Sequence, residues 1–562
     1  MPSTRRDFMT GAATATAAAL GSSGLPAVPD GTTASENRFK PRLIYYNDGH
    51  HFHAKRLDPP VNVAKLRWPV DELLGTGVDL LVLGLGYGDV YFHDSKVGRV
   101  VGQEKEVWEN FIDWRIMCMV RDARKLGTDQ LREVIRRGRE KGLKVFPSLK
   151  LQDVAQPGDE RCGWLKWRKQ QEVCLKEKDP KDPRRALGYD FTNPLVREDK
   201  LKMVREVLSD YGADGIELDF MFYPAYFRRG EVDGATSLMT RFVAEVRETA
   251  RAVGREQKRP IPICARVFHR RDENLKIGLD VESWLKEKSV DLVVGQVSDT
   301  LFETAIDIGW LAAAANAGGA ASYLRPPLRV YDERTAFPSI EMYRALGQNL
   351  SRQGCAGMYL GYLPWPLGAR EYEILREIAY PEAYARRAKR YFLQPRERPG
   401  VFTSAPSRQL PIPLEAGKPA RVTIRVADDL ASAGRDGELR RSILTLRFSF
   451  FCIEDDIEIR FNGNALSLAE AEVTDERALR FPVQLNTEIE APLGMSAHWF
   501  RFRLEPDQVK EGENTLEVVA RKMAREAGFT RSLSGVELHV RYKEFVRPEG
   551  IDGMATVSPL AP

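Results

Sequence analysis

Outside its N-terminal region, the 562-residue chain has no apolar run approaching the ~18 residues that a membrane-spanning helix needs, so no membrane span is expected. Charge of one sign is also missing. Lys and Arg number 84 against 80 Asp and Glu, a formal net charge of +4, and no basic run interleaves with aromatics, which excludes a nucleic-acid groove. Cysteine is scarce: Cys118, Cys162, Cys174, Cys264, Cys355 and Cys452 form no C-x-x-C pair and no zinc-ligand spacing. Cys264 and Cys355 fall in or beside apolar strand candidates and read as small hydrophobes, whereas Cys162 and Cys174 share a loop and could bridge. A phosphate cradle is lacking as well. Gly84-Leu85-Gly86-Tyr87-Gly88 is not followed by a helix start, so no organic cofactor is expected, and no metal.

What is present is an ordinary globular composition, 43% apolar and 29% charged, on a chain too long for one core. At the N-terminus, Ser3-Thr4-Arg5-Arg6-Asp7-Phe8-Met9 precedes a weakly apolar Ala/Gly/Thr stretch and then Leu25-Pro26-Ala27-Val28-Pro29. The pattern resembles a twin-arginine signal and linker over residues 1–35. Its partner would be the twin-arginine export machinery, and its destination the periplasm or the cell exterior.

From residue 42 onward, short apolar runs alternate with helical periodicity. Strands are predicted at 43–46, 80–85, 144–149, 215–219, 261–267, 291–297, 321–324 and 357–362, and helices near 69–76, 128–141, 197–210, 236–253, 280–288, 303–317, 339–353 and 370–391. Eight strand and helix pairs predict an α/β fold, a (β/α)8 barrel over 40–393. After Gln394-Pro395-Arg396-Glu397-Arg398-Pro399-Gly400 the period changes to two, which predicts an all-β, jelly-roll-like sandwich over 400–546 and a tail over 547–562.

In such a barrel the chemistry lies at the C-terminal ends of the strands. Those ends supply Asp48, His51 and His53 (first strand), Lys150 (third), Arg266 and His269 (fifth), Gln296 and Asp299 (sixth), Arg325 (seventh), and Tyr362 and Trp365 (eighth). Five of the seven histidines, His50, His51, His53, His93 and His269, are assigned to this rim. The fourth strand, Asp214-Gly215-Ile216-Glu217-Leu218-Asp219, carries two acids on one face, because side chains alternate along a strand. Helices cover the outside of a parallel barrel, so Glu217 and Asp219 should face its interior and draw partners from Lys150, Arg266 and Gln296. Two acids beside a cation can hold one carboxyl protonated and the other ionised. Rim aromatics, among them Phe222, Tyr223, Tyr87, Tyr91, Trp164, Trp167 and Trp365, offer the flat walls on which sugar rings stack.

The run Tyr189-Asp190-Phe191-Thr192-Asn193-Pro194-Leu195-Val196-Arg197, followed by Tyr211-Gly212-Ala213-Asp214-Gly215-Ile216-Glu217-Leu218-Asp219 and Tyr223-Pro224, resembles the bacterial glycoside-hydrolase-like barrel families related to the α-galactosidase-like barrels. Phe461-Asn462-Gly463 and Lys510-Glu511-Gly512-Glu513-Asn514 resemble the galactose-binding-like sandwiches that accompany them. The resemblance implies a secreted glycosidase acting on an oligo- or polysaccharide, with Asp219 as principal carboxylate, Asp299 as the strand-six acid and Glu217 as a rival for the acid role. Asp190 would shape the loop above the site or act as a third carboxylate. The seventh strand ends in Tyr323-Leu324-Arg325, not an acid, so a glutamate pair on strands four and seven does not apply. Two alternatives stand beside this: a glycan-binding barrel without turnover, and a metal-dependent hydrolase. In the latter, His51, His53 and His269 superficially resemble amidohydrolase ligands, but the Lys, His and Asp on strands four, six and eight are missing.

Overall fold

The computed structural model describes residues 39–50, 52–103, 105–297, 301–330, 336–393, 409–452, 454–475 and 497–543. The stretch 1–35 read as a twin-arginine signal, the tail over 547–562, His51 and Asp299 lie outside these residues.

Eight parallel strands close into a barrel: β1 (Leu43–Asn47), β2 (Leu80–Gly84), β3 (Lys144–Lys150), β4 (Ile216–Asp219), β5 (Ile263–Phe268), β6 (Leu292–Gln296), β7 (Ala321–Arg325) and β8 (Gly357–Gly361). They are adjacent in chain order, with β8 returning to β1. Alternation sorts the side chains. Leu43, Leu81, Leu149, Leu218, Val293 and Leu324 join the apolar layer shared with the surrounding helices, leaving Ser148, Lys150, Glu217, Asp219, Arg266 and Gln296 to the interior. Helix boundaries follow local chemistry. Asp129 caps the helix Gln130–Lys141 by accepting from Arg132 N at 2.9 Å, and Gly142 ends it at φ 75°, a conformation that L side chains adopt reluctantly. Asn193 caps Pro194–Ser209, with Pro194 in the first turn.

Helices also arise where none was expected, at Phe111–Lys125, Trp164–Val173, Arg271–Leu275 and Leu430–Arg435, and the first helix runs Val63–Asp71 because Asn62 caps it there. The helix expected over 370–391 is Ala369–Glu377 alone, since Pro381 forbids its continuation. Lys389–Leu393 forms a strand instead, β9, which pairs antiparallel with Ser532–Tyr542. Its two faces serve different cores: Tyr391 and Leu393 enter the sandwich, and Phe392 packs against the barrel's helices.

The β domain consists of two antiparallel sheets. One runs β9, Ser532–Tyr542, Leu439–Ser449, Ala497–Leu504, Glu472–Asp475, and the other runs Pro419–Val426, Gly512–Lys522, Asp456–Phe461, Asn464–Leu466. The stretch 511–514, whose Gly512 and Asn514 are residues typical of turns, opens the strand Gly512–Lys522. The fully buried Asn514 amide anchors it by accepting from Lys510 N at 2.8 Å and donating to Lys510 O at 2.8 Å. Among the described residues no helix is long and apolar enough to cross a membrane. All six cysteines are free thiols, so Cys162 and Cys174 do not bridge.

Candidate active site

The C-terminal mouth of the barrel gathers the polar residues of five strands around one guanidinium. Register places Asp219 beside Lys150 on one side and Arg266 on the other. Arg266 forms an ion pair with Asp219 Oδ2, approaches Glu217 Oε1 at 3.5 Å through Nε, and donates to Gln296 Oε1 at 2.9 Å through Nη1. Its cationic centre also lies 4.9 Å from the Tyr46 ring and 5.7 Å from the Tyr359 ring. Asp219 Oδ1 accepts from Met221 N at 2.8 Å, so the carboxylate is held at both oxygens.

Glu217 is 0% and Asp219 1% exposed. Being two residues earlier on the strand, Glu217 lies about 7 Å deeper. Burial drives its pKa up; the Arg266 charge opposes this, Asp219 adds to it, and the Ser148 hydroxyl, donating at 2.7 Å, opposes it again. Tyr359 lies close enough to act on the same carboxyl, yet neither Tyr359 Oη nor Glu217 Oε2 completes a hydrogen bond of good geometry. Burial pulls the Arg266 pKa down, but the Asp219 carboxylate and the surrounding tyrosines and Glu217 outweigh it, and the net shift is well upward.

Lys150 takes a different course from the one expected. Its ammonium donates to Gly86 O at 2.8 Å and sits 4.4 Å from the Phe222 ring. Burial lowers its pKa against the charges of Asp48 and Asp219. Tyr362, with φ 55°, stands at the rim 37% exposed, 5.6 Å from Tyr46, and Arg325 lies 5.6 Å from its ring. Asp48, Arg325, Arg266 and Asp219 all act electrostatically on Tyr362, which places them around one opening.

Other sequence-assigned residues sit apart from this opening. His53 turns Nδ1 to Gly49 O at 2.8 Å and packs 4.7 Å from Phe92, where burial lowers its pKa to about 4. His93 is not on the rim: it lies between Glu206, at 3.4 Å, and the ring of Tyr211 on the helix side. His269 follows β5, where burial lowers its pKa to about 4, and its carbonyl accepts from Trp310. Asp190 accepts from Thr192 N at 2.9 Å and from Arg228 at 3.0 Å, which makes it a loop brace. Tyr223 bonds Asp182, and Trp365 donates to Glu72 at 3.1 Å. Tyr46 and Ser148, which the rim reading missed, belong to the site. Their signal lies in register, because Ser148 faces Glu217 across β3 and β4.

Among the described residues no three His, Cys, Asp or Glu side chains converge as a metal-holding group. A cavity lies off the barrel axis, between the loops after β4 and β5, lined by Tyr226, Phe227, Phe268, Arg185 and Lys276.

No family model matches the chain, and no curated protein matches it. Solved structures do. A cycloisomaltooligosaccharide glucanotransferase from Paenibacillus sp. is similar at 11% identity and TM-score 0.33, covering 88% of this chain and 57% of its own. An α-L-fucosidase isoenzyme from Paenibacillus thiaminolyticus is similar at 14% and 0.38, covering 62% and 51%. An α-galactosidase from Thermus thermophilus is similar at 15% and 0.35, covering 61% and 66%. The chain thus spans little more than half the length of the first two, and likenesses this distant say nothing about its chemistry.

Proposed function

We propose that the protein is a glycoside hydrolase whose site is the barrel mouth. The observation that carries the reading is the buried Asp219 carboxylate, held against Arg266 beneath an aromatic rim of Tyr46, Tyr362 and Phe222. A carboxylate fixed in this way stabilises the positive charge that develops on the sugar ring as the glycosidic bond breaks. The leaving oxygen takes a proton from a second carboxyl, and water adds at the vacated carbon and gives up a proton that restores that carboxyl. The resemblance in sequence assigns that second carboxyl to Asp299. Glu217, one layer deeper and closed to solvent, acts through Arg266 as a positioning residue. Asp48, Lys150 and Gln296 hold hydroxyls at the opening. The Arg5-Arg6 motif supports twin-arginine export to the periplasm or beyond.

The test is reducing-end release from a panel of oligo- and polysaccharides by the wild type and Asp219→Asn, with folding verified for both. Release by the wild type alone is expected; equal release by both would remove Asp219 from the chemistry. One observation favours a second reading, a glycan-binding barrel without turnover: Asp219 is engaged at both oxygens and almost wholly buried. That reading predicts saccharide binding that survives Asp219→Asn with no release by either protein.

A further inference from the structure

Among the described residues three cations line the mouth, Lys150, Arg266 and Arg325, and the first two are matched. Arg266 answers Asp219 and Glu217, and Lys150 is fixed by Gly86 O, with Asp48 and Asp219 as its nearest opposing charges. Arg325 ends β7 on the face opposite to Leu324, which joins the helix layer, so its side chain belongs to the interior beside Gln296, its register partner. Among the described residues its guanidinium meets no carboxylate and no carbonyl, only the face of Tyr362 at 5.6 Å. Other sheltered arginines of this barrel have an acid or backbone carbonyls: Arg185 has Glu177, Arg56 has Glu72 at 2.9 Å, Arg344 has Glu377 at 3.0 Å through Nη2, Arg259 donates to Gly212 O at 2.9 Å, and Arg370 donates to Pro338 O at 2.7 Å. A guanidinium is a planar fork of donors that matches a carboxylate or a sulfate oxygen pair, and shelter strengthens such a pairing.

We infer, resting on the glycosidase reading, that the mouth takes a sugar bearing an anionic substituent, which pairs with Arg325 while the ring lies against Tyr362. The shared chemistry is a fork of two acceptor oxygens, supplied either by the carboxylate of a uronic acid or by a sulfate ester.

The experiment is calorimetric titration of the wild type, Arg325→Gln and Arg325→Lys with galacturonic acid, galactose 6-sulfate and galactose, which differ at one carbon only. These monosaccharides contain no bond to hydrolyse, so the result is independent of whether the protein turns over a glycan. Expected is binding of one or both anions at least ~10-fold tighter than galactose, weakened about 10- to 100-fold in Arg325→Gln and partly kept in Arg325→Lys, with galactose unaffected. Whichever anion binds names the substituent. Equal binding of the three sugars, no binding of either anion at millimolar concentration, or anion binding unchanged in Arg325→Gln would overturn the inference. Cleavage of neutral glycans alongside any of those outcomes would leave the glycosidase reading standing.

Discussion

The barrel mouth and the β domain both bury charge, but they resolve it differently. In the β domain Arg390 forks onto Glu537 with bonds of 3.0 and 2.8 Å, and His539 takes the Oε2 side at 2.8 Å. Lys389 and Tyr391 share Asp428, at 3.0 and 2.8 Å, and Arg531 meets Asp455 at 3.2 Å. Each acid there faces at least one cation of its own. At the mouth, one guanidinium serves two acids, and among the described residues Glu217 Oε2 and Tyr359 Oη lack partners and Arg325 meets no acid. A cluster selected for stability closes its hydrogen bonds, because an orphaned buried group costs about 1–3 kcal/mol. Glu217 Oε2 and Tyr359 Oη lie too deep for a ligand to reach, so among the unmatched groups at the mouth it is Arg325 that a ligand is expected to complete.

The largest effect separating the two regions should come from Asp219→Asn. Glycan hydrolysis is expected to fall by about 10²- to 10⁴-fold while circular dichroism is unchanged. Next in size, Arg390→Met in the β domain should destabilise by about 3–5 kcal/mol in chemical denaturation, since it removes the guanidinium that holds both oxygens of the buried Glu537 carboxylate. The folded fraction should keep its kcat. Arg266→Met should cost a similar amount and also remove activity, and an active Arg266→Met protein would dissolve the distinction drawn here.

Smaller effects follow from titration. His53 is held at a pKa of about 4, below its ordinary 6.5, so its neutral form is favoured in the folded state. Stability from this group is complete above pH 6.5 and is lost as pH falls towards 4, with a slope of up to about 1.4 kcal/mol per pH unit. His53→Phe should flatten that acid limb in urea titrations. Glu217 has the opposite sign. Its folded pKa is raised above 4.5, so the native state binds the proton more tightly and stability declines as pH rises above the ordinary carboxylate value. Glu217→Gln should then gain stability relative to the wild type with rising pH, and a gap that does not widen would remove Glu217 as a protonated group.

The barrel was legible because its strands are short apolar runs with two-residue alternation between helical periods, and all eight fall within two residues of their expected limits. Where the reading slipped, a local signal was overruled. Lys389–Leu393 reads as the end of a helix until Pro381 is weighed, and 511–514 reads as a turn until the Asn514 amide is seen to anchor a strand. Rim histidines were harder. His93 follows β2 in sequence, but the excursion through Val90–Tyr91 and Arg99–Val100 carries it to Glu206 on the helix side.

By itself, then, the sequence determined the architecture and the placement of Glu217 and Asp219 inside the barrel, because pattern and alternation are local properties of a strand. Which cation answers which acid was decided only by the closed barrel. Register brings Lys150 and Arg266 equally close to Asp219, and the difference lies in reach and geometry: the guanidinium bridges Asp219, Glu217 and Gln296 at once, whereas the ammonium finds Gly86 O and the face of Phe222. Among the described residues Arg325 meets no acid for the same reason, since charge matching inside a barrel depends on distances between strands that no single strand encodes.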